Sequence, residues 1–159
     1  MEMEDSFVMT NVCPMNPQLN RKYWLHIENF VRRLTEHFTE VHVFTGPLFI
    51  PTYDDKTQEW STQYRVFGGK VPLVSVPTHF FKIVLGLKVD QLPYLGCFVV
   101  PNKEIDSNVS LTSLQVPLKT IESFSGHLFF PELRSRRISD LCEEVSCELI
   151  KGRFKQINK

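Results

Sequence analysis

The sequence has no excess of charge of either sign, with 18 lysines and arginines against 18 aspartates and glutamates. A DNA-binding domain is usually clearly basic, so the composition gives no support for nucleic-acid binding, and any contact with phosphates would have to be local. No apolar run approaches the roughly 20 residues that cross a bilayer, so we predict no membrane-spanning segment. The acidic start, Met1–Asp5, has the character of neither a signal peptide nor an arginine-rich transit peptide.

The sequence also lacks the usual zinc-binding patterns. Its four cysteines, Cys13, Cys97, Cys142 and Cys147, form no Cys-x-x-Cys pair and have no histidine pair beside them at zinc spacing. We therefore predict buried free thiols, which suggests a reducing or mixed compartment.

Apolar material, by contrast, is sufficient for a core. Hydrophobic residues make up 42% of the 159 residues and include 13 phenylalanines. The length fits a single domain over residues 1–159. Helical periodicity predicts one long helix from about Asn20 to Phe38. Pro17 argues against an earlier start, and Asn20 is a suitable N-cap.

Beyond this helix, short apolar segments bounded by glycine, proline or asparagine predict strands. The predicted strands are Val41–Phe44, Tyr64–Phe67, Leu73–Val76, Thr78–Leu85 and Cys97–Val100, with a last one over Cys147–Phe154. Thr52–Thr62 is polar and predicts a surface loop. Leu118–Ser123 predicts a helical turn, and Ile138–Val145 a short helix capped by Ser135 or Ser139. The fold class is α+β, with a mainly antiparallel sheet packed on one long helix.

Three residues of the predicted long helix carry a possible site. Asn20, Trp24 and Glu28 stand at i, i+4 and i+8 and follow one side of the helix. An amide oxygen and a carboxylate are hard ligands that suit Mg²⁺ or Mn²⁺. The rise between Asn20 and Glu28 is about 12 Å, which favours one direct ligand and one acting through water. Spacing alone equally allows an Asn20 N-cap and a surface ion pair between Glu28 and Arg32.

Motifs along nearly the whole chain resemble the DNA/RNA non-specific endonucleases, the ββα-metal family that includes mitochondrial endonuclease G. The matching segments are Met3–Phe7, Asn11–Pro14, Asn20 with Trp24 and Glu28, Thr45–Phe49, Val76–Lys82, Val99–Asn102, Val116–Leu118 and Ser125–Phe129. Leu141–Cys147 is most similar to fungal mitochondrial members. The resemblance implies a ββα-metal fold, with the antiparallel sheet, one long N-terminal helix and short helices.

The resemblance also implies roles for individual residues. Asn20 would bind the metal ion directly, Glu28 would hold the hydrated metal, and Asn11 would lie near the catalytic centre, with all three facing one concave surface. Met15 departs from the family, which usually has glutamine there. Separately, Arg32-Arg33 form a basic pair on the helix that could contact phosphates.

One family motif has no counterpart in these 159 residues. The family's general base is the histidine of an upstream Asp-Arg-Gly-His motif, and none of the five histidines here has that context. We therefore nominate no general base and expect an N-terminally truncated member of the family.

The resemblance implies a Mg²⁺- or Mn²⁺-dependent endonuclease that cleaves DNA and RNA without sequence specificity, impaired here by the missing base. It further implies a homodimer and a mitochondrial location. The alternative is a non-catalytic nucleic-acid-binding or regulatory remnant that pairs with a full-length relative.

Overall fold

A computed structural model of the chain describes residues 12–133 and 135–149. Its first element is an uninterrupted helix of three segments: α1 (Pro17–Leu19), a π-helical turn (Asn20–Trp24) and α2 (Leu25–Leu34). We call the three together the N-terminal helix. None of the helices in the described part of the chain is long and apolar enough to cross a membrane.

The N-terminal helix begins earlier than predicted, because its cap is Asn16. The Asn16 Oδ1 accepts hydrogen bonds from the backbone N–H groups of Gln18 and Leu19 at 2.9 and 3.1 Å. Pro17 is the first helical residue, where a missing N–H costs nothing and the fixed φ suits a helix. The expectation of an Asn20 cap is therefore wrong, since Asn20 lies inside the helix.

Within the residues that the structure describes, eight strands follow the N-terminal helix and pair into three sheets. In chain order they are β1 (Glu40–Leu48), β2 (Thr52–Asp54), β3 (Glu59–Ser61), β4 (Val66–Gly68), β5 (Pro72–Ser75), β6 (His79–Leu87), β7 (Tyr94–Pro101) and β8 (Ser139–Asp140). The central sheet has the order β1-β6-β7-β8, with β1, β6 and β7 antiparallel and β8 parallel to β7. Hairpins β2-β3 and β4-β5 stand apart from it.

Strand β1 continues through Gly46-Pro47, where the sequence predicted its end. Pro47 pairs with Phe80 of β6. Among the described strands β1 is the edge of the central sheet, and an edge strand tolerates proline because an N–H on its open side has no ladder partner. A proline is thus a poor terminator for this particular strand.

The central sheet is covered on both faces. On one face, Phe80 and Phe98 belong to the same buried cluster as Ile27 and Phe30 of the N-terminal helix. On the other, residues of β6 and β7 join a second cluster with Ile121 of α3 (Leu118–Ser125). Helices therefore lie on both sides of β6 and β7, which explains why β6 is buried along nearly its whole length, whereas most of β1 is exposed.

Further segments differ from their predictions. Thr52–Thr62 contains the exposed hairpin β2-β3, whose Tyr53 and Trp60 pair across the strands with ring centroids 5.2 Å apart. Aromatic cross-strand pairs stabilise hairpins even where the flanking residues are polar. The predicted helix over Ile138–Val145 is strand β8 followed by the short helix α4 (Leu141–Glu144).

The cap of α4 is neither of the predicted serines. Asp140 accepts a hydrogen bond from the Cys142 N–H at 2.7 Å, and its other carboxylate oxygen accepts from the Gln115 side chain at 2.6 Å. The predicted strand over Cys147–Phe154 is absent from 147–149, and its remaining residues lie outside the described part.

Cysteine pairing corrects another expectation. Cys142 and Cys147 form a disulfide with their Cα atoms 5.3 Å apart, because α4 ends at Glu144 and the extended chain that follows turns back beside it. Cys13 is an exposed free thiol, and Cys97 is buried in β7. The prediction of buried free thiols is therefore correct for Cys97 alone.

Thiol labelling tests this assignment. Without reductant, the folded protein should react rapidly with an aromatic disulfide reagent at one thiol, that of Cys13. A second thiol, that of Cys97, should react only on denaturation, and two more after reduction. A Cys13→Ala variant should lose the rapid phase, and rapid labelling of two or more thiols in the folded state would contradict the assignment.

Candidate metal-binding and catalytic site

Asn20 lies in the π-helical turn with its side chain exposed. Its backbone N–H donates to the Asn16 carbonyl at 2.9 Å, while its side-chain amide has no hydrogen-bond partner within the described ranges. If Asn20 were the N-cap, its amide oxygen would accept a hydrogen bond from a backbone N–H in the first turn of the helix. Because Asn16 fills that role, the amide of Asn20 is available to a ligand.

The π-helical turn changes how Asn20 and Glu28 are aligned. In a regular α-helix, residues eight positions apart differ by about 80° around the axis. A turn with i→i+5 bonding holds more residues than an α turn, so the chain winds less per residue. The π-helical turn over Asn20–Trp24 therefore makes the angle between Asn20 and Glu28 around the helix axis smaller than it would be in a regular α-helix. Such π turns are frequent at functional sites.

Glu28 is exposed in the first turn of α2. Within the described part of the chain it forms no ion pair with Arg32, the partner that the i,i+4 spacing predicts. The charged group that it does influence is Lys82 of β6. The carboxylate of Glu28 is therefore not engaged in the ordinary i,i+4 surface pair.

Lys82 was not recognised as a site residue from the sequence. It lies in the central strand β6 and is only 5% exposed. Its ammonium donates to the Thr45 Oγ1 at 3.1 Å and lies 4.7 Å from the centre of the Trp24 ring. Burial lowers the pKa of Lys82, and the carboxylate of Glu28 acts in the opposite direction. A buried ammonium needs such partners, because its desolvation is costly.

Trp24 links the two predicted ligands to the sheet. Its side chain is buried between them along the helix, and its ring packs on Phe80 with centroids 5.7 Å apart. Asn20 and Glu28 thus flank an anchored tryptophan, with the positive charge of Lys82 beneath it. The signal for Lys82 in the sequence was a single lysine inside the apolar strand His79–Leu87.

The other predicted site residues are placed differently. Arg32 is exposed on α2, whereas Arg33 is half-buried and donates its Nη2 to the Glu148 carbonyl at 3.1 Å. Arg33 therefore holds the C-terminal segment against the helix. Asn11 lies outside the described residues.

None of the five histidines has a hydrogen bond to Asn20 or Glu28 within residues 12–133 and 135–149. His79 is half-buried, and its Nδ1 is 3.0 Å from the Thr78 hydroxyl. Burial, together with the charge of Lys103, lowers the pKa of His79. The Nδ1 of His26 is buried without a partner in the same part of the chain.

The donors present fit a hydrated Mg²⁺ or Mn²⁺ better than a zinc ion. The described residues contain no cluster of three histidine, cysteine, aspartate or glutamate side chains able to hold a metal. Asn20 and Glu28 instead offer an amide oxygen and a carboxylate, and Mg²⁺ commonly keeps several waters and takes few protein ligands. A site of this kind is compatible with two exposed oxygen donors on one helix.

Comparison with known proteins gives consistent matches. The family model of the DNA/RNA non-specific endonucleases matches residues 1–136. The nuclease of Syncephalastrum racemosum is 40% identical over 151 residues, covering 92% of this chain and 47% of that protein. The mitochondrial nuclease 1 of Schizosaccharomyces pombe is 38% identical, covering 92% and 46%.

Human mitochondrial endonuclease G is also similar, with 37% identity covering 84% of this chain and 44% of that protein. Among solved structures, a chain in the crystal structure of the EndoG/EndoGI complex superimposes with a TM-score of 0.73 and 34% identity. The match covers 80% of this chain and 51% of that one. This chain thus spans about half the length of the relatives that it matches.

Proposed function

Because the chain belongs to the DNA/RNA non-specific endonuclease family, we propose that it is a metal-dependent endonuclease whose site is built on Asn20 and Glu28. The family resemblance and the ββα-metal fold inferred from the motifs are confirmed. The substrates we propose are DNA and RNA, cleaved at phosphodiester bonds without sequence specificity. The observation that carries the proposal is the exposed amide of Asn20, freed by the Asn16 cap, on the same helix as Glu28.

The roles we propose follow from charge and reach. Asn20 would hold Mg²⁺ or Mn²⁺ directly, and Glu28 would hold a water on the ion, because eight residues of a regular α-helix would separate their backbones by about 12 Å. A bound divalent cation supplies neutralisation of charge on the scissile phosphate and the leaving oxygen. Arg32 is exposed near this helix face and would contact a phosphate of the substrate, while Asn11 would lie at the catalytic centre. Arg33 would act there only if released from the Glu148 carbonyl.

Removal of a proton from the attacking water needs a base, and we assign none within these 159 residues. General-base catalysis contributes a factor of roughly 10² to 10⁴ in rate. We therefore propose that the chain by itself cleaves slowly. The second candidate function is a nucleic-acid-binding or regulatory module that pairs with a full-length relative.

We infer the location and the assembly of this protein from its relatives. The relatives from fission yeast, budding yeast, mouse and human are named as mitochondrial proteins. On that basis we propose a mitochondrial location. We also propose a homodimer, following the family resemblance.

Manganese binding tests the site without requiring catalysis. Mn²⁺ titrated into the 159-residue chain should bind weakly, and Asn20→Ala should abolish this binding with little loss of stability, because the Asn20 side chain caps nothing. The measurement is the electron paramagnetic resonance signal of free Mn²⁺, combined with thermal unfolding of each variant.

Asn16→Ala is the matched control. It should lower the stability by about 1 kcal/mol, the usual contribution of an N-cap. If Asn20→Ala and wild type bound Mn²⁺ equally well, the direct-ligand role of Asn20 would be disproved. If Asn20→Ala instead destabilised the fold as much as Asn16→Ala, the side chain would have a structural role that the helix geometry does not predict.

A further inference from the structure

We propose that Asn102 is a positioning residue for the metal site, fixing the start of the N-terminal helix and through it the place of Asn20. This inference rests on the proposed function, since it concerns the same ligand. Asn102 directly follows β7 and is half-buried. It is separated from Asn16, the cap of the helix, by 86 positions in sequence, so this contact is purely tertiary.

The side chain of Asn102 joins two distant segments. Its Oδ1 accepts from the backbone N–H of Asn16 at 2.7 Å. Its Nδ2 donates to the carbonyl of Pro14 at 3.1 Å and to the carbonyl of Pro77 at 2.8 Å. The backbone N–H of Asn102 donates to the Thr78 carbonyl at 2.8 Å. The amide thus fixes the approach to the helix against the turn that precedes β6.

Two hydrogen bonds lead from Asn102 to the proposed ligand. Asn102 holds the N–H of Asn16, and the carbonyl of Asn16 accepts from the N–H of Asn20 at 2.9 Å. Asn16 also caps the helix through its side chain. A shift of Asn16 would therefore loosen the cap and move the turn that carries Asn20.

The chemistry of this position favours an amide. The side chain at this position must donate to the carbonyls of Pro14 and Pro77 and must also accept from the backbone N–H of Asn16. Asparagine supplies two donors and an acceptor on one short side chain, whereas aspartate supplies no donor when ionised and serine supplies one. Replacing Asn102 with aspartate would set a negative charge against the Pro14 and Pro77 carbonyls with almost no change in shape.

The loop after Asn102 makes further contacts with the same helix, but beyond Asn20. Lys22 pairs with Glu104 at 3.1 Å, and the Tyr23 hydroxyl donates to the Val109 carbonyl at 3.1 Å. The exposed ion pair contributes little to stability. Because Lys22 and Tyr23 lie in the later part of the π-helical turn that begins at Asn20, these contacts hold that part in place. Loss of Asn102 should therefore affect Leu19 and Asn20, at the start of the helix, most.

The test compares Asn102→Asp with a matched control, Gln115→Ala. The control removes another half-buried amide hydrogen bond, from Gln115 Nε2 to Asp140 Oδ2 at 2.6 Å, away from the helix start. Two quantities are measured on the 159-residue chain: Mn²⁺ affinity by electron paramagnetic resonance, and hydrogen exchange of the Leu19 and Asn20 amides by NMR. Asn102→Asp should weaken Mn²⁺ binding about tenfold and accelerate both exchange rates, while Gln115→Ala leaves them near wild type.

Asn102→Ser is a milder variant that keeps one donor, and it replaces Asn102→Asp if that variant is too unstable to measure. Its Mn²⁺ affinity should be lower than that of wild type but higher than that expected for Asn102→Asp. Wild-type Mn²⁺ affinity in both Asn102 variants would overturn the inference while leaving the Asn20 site intact. Absence of Mn²⁺ binding in wild type would instead overturn the proposed metal site, and with it the metal role of Asn102. The exchange rates would then still decide whether Asn102 holds the helix start.

Discussion

Joined behind a segment that bears the family's Asp-Arg-Gly-His motif, this chain should nick plasmid DNA roughly 10² to 10⁴ times faster than the 159 residues alone. The motif would supply a general base to a chain whose N-terminal helix already offers the side-chain oxygens of Asn20 and Glu28. The measurement is conversion of supercoiled plasmid to nicked circles in Mg²⁺ or Mn²⁺, with EDTA as the blank.

Two variants of the longer chain serve as controls. Changing the motif histidine to alanine should return the rate to that of the 159 residues, and Asn20→Ala should abolish cleavage. The opposite result is also informative. Robust, EDTA-sensitive nicking by the 159-residue chain, lost on Asn20→Ala, would mean that this chain contains a base we have not identified. An inactive longer chain that still bound DNA would favour the binding-module alternative.

The free energy of unfolding should fall steeply as the pH rises above 9. Burial, assisted by the carboxylates of Asp140 and Glu122, raises the pKa of Cys97 to about 12 from 9.0. A folded-state pKa above the unfolded value stabilises the fold fully below pH 9, and this contribution is lost as the pH rises towards 12. The loss is about 1.4 kcal/mol per pH unit, or about 4 kcal/mol in all.

Tyr23 adds to the same trend, because burial raises its pKa from 10.0 to about 12. Urea unfolding between pH 8 and pH 11 measures the decline. Cys97→Ala should reduce its slope above pH 9, whereas Cys13→Ala, at an exposed thiol, should leave the slope unchanged. Equal slopes in wild type and Cys97→Ala would contradict a strongly raised pKa for the buried thiol.

Much of the fold could be predicted from local pattern. The long strands β6 and β7 and the long helix followed from apolar periodicity, because burial on a sheet or along one helix face imposes that periodicity on the sequence. The boundaries were less predictable. Local pattern at Pro17 and Pro47 predicts no helix and no strand, yet Pro17 occupies the first turn of a helix and Pro47 an edge strand, where a missing N–H is harmless.

The candidate site, like the fold, could be predicted from the sequence only in part. The residue types at Asn20 and Glu28, together with the motifs around them, led to the family and to a hydrated divalent cation. Spacing could not distinguish a ligand from a helix cap. That question depended on Asn16, whose own N–H is held by Asn102 from the far end of β7.

The sequence by itself therefore determined the family and the α+β class, and it supplied Asn20 and Glu28 as the proposed oxygen donors, because these depend on residue types and local periodicity. Only the tertiary structure decided that Asn20 is free of capping, that Lys82 lies buried beneath Trp24, and that Cys142 bonds to Cys147. Each of these depends on where the backbone turns and which distant groups it brings together. Hydrogen bonds and buried charges are satisfied across such contacts, and linear spacing does not specify them.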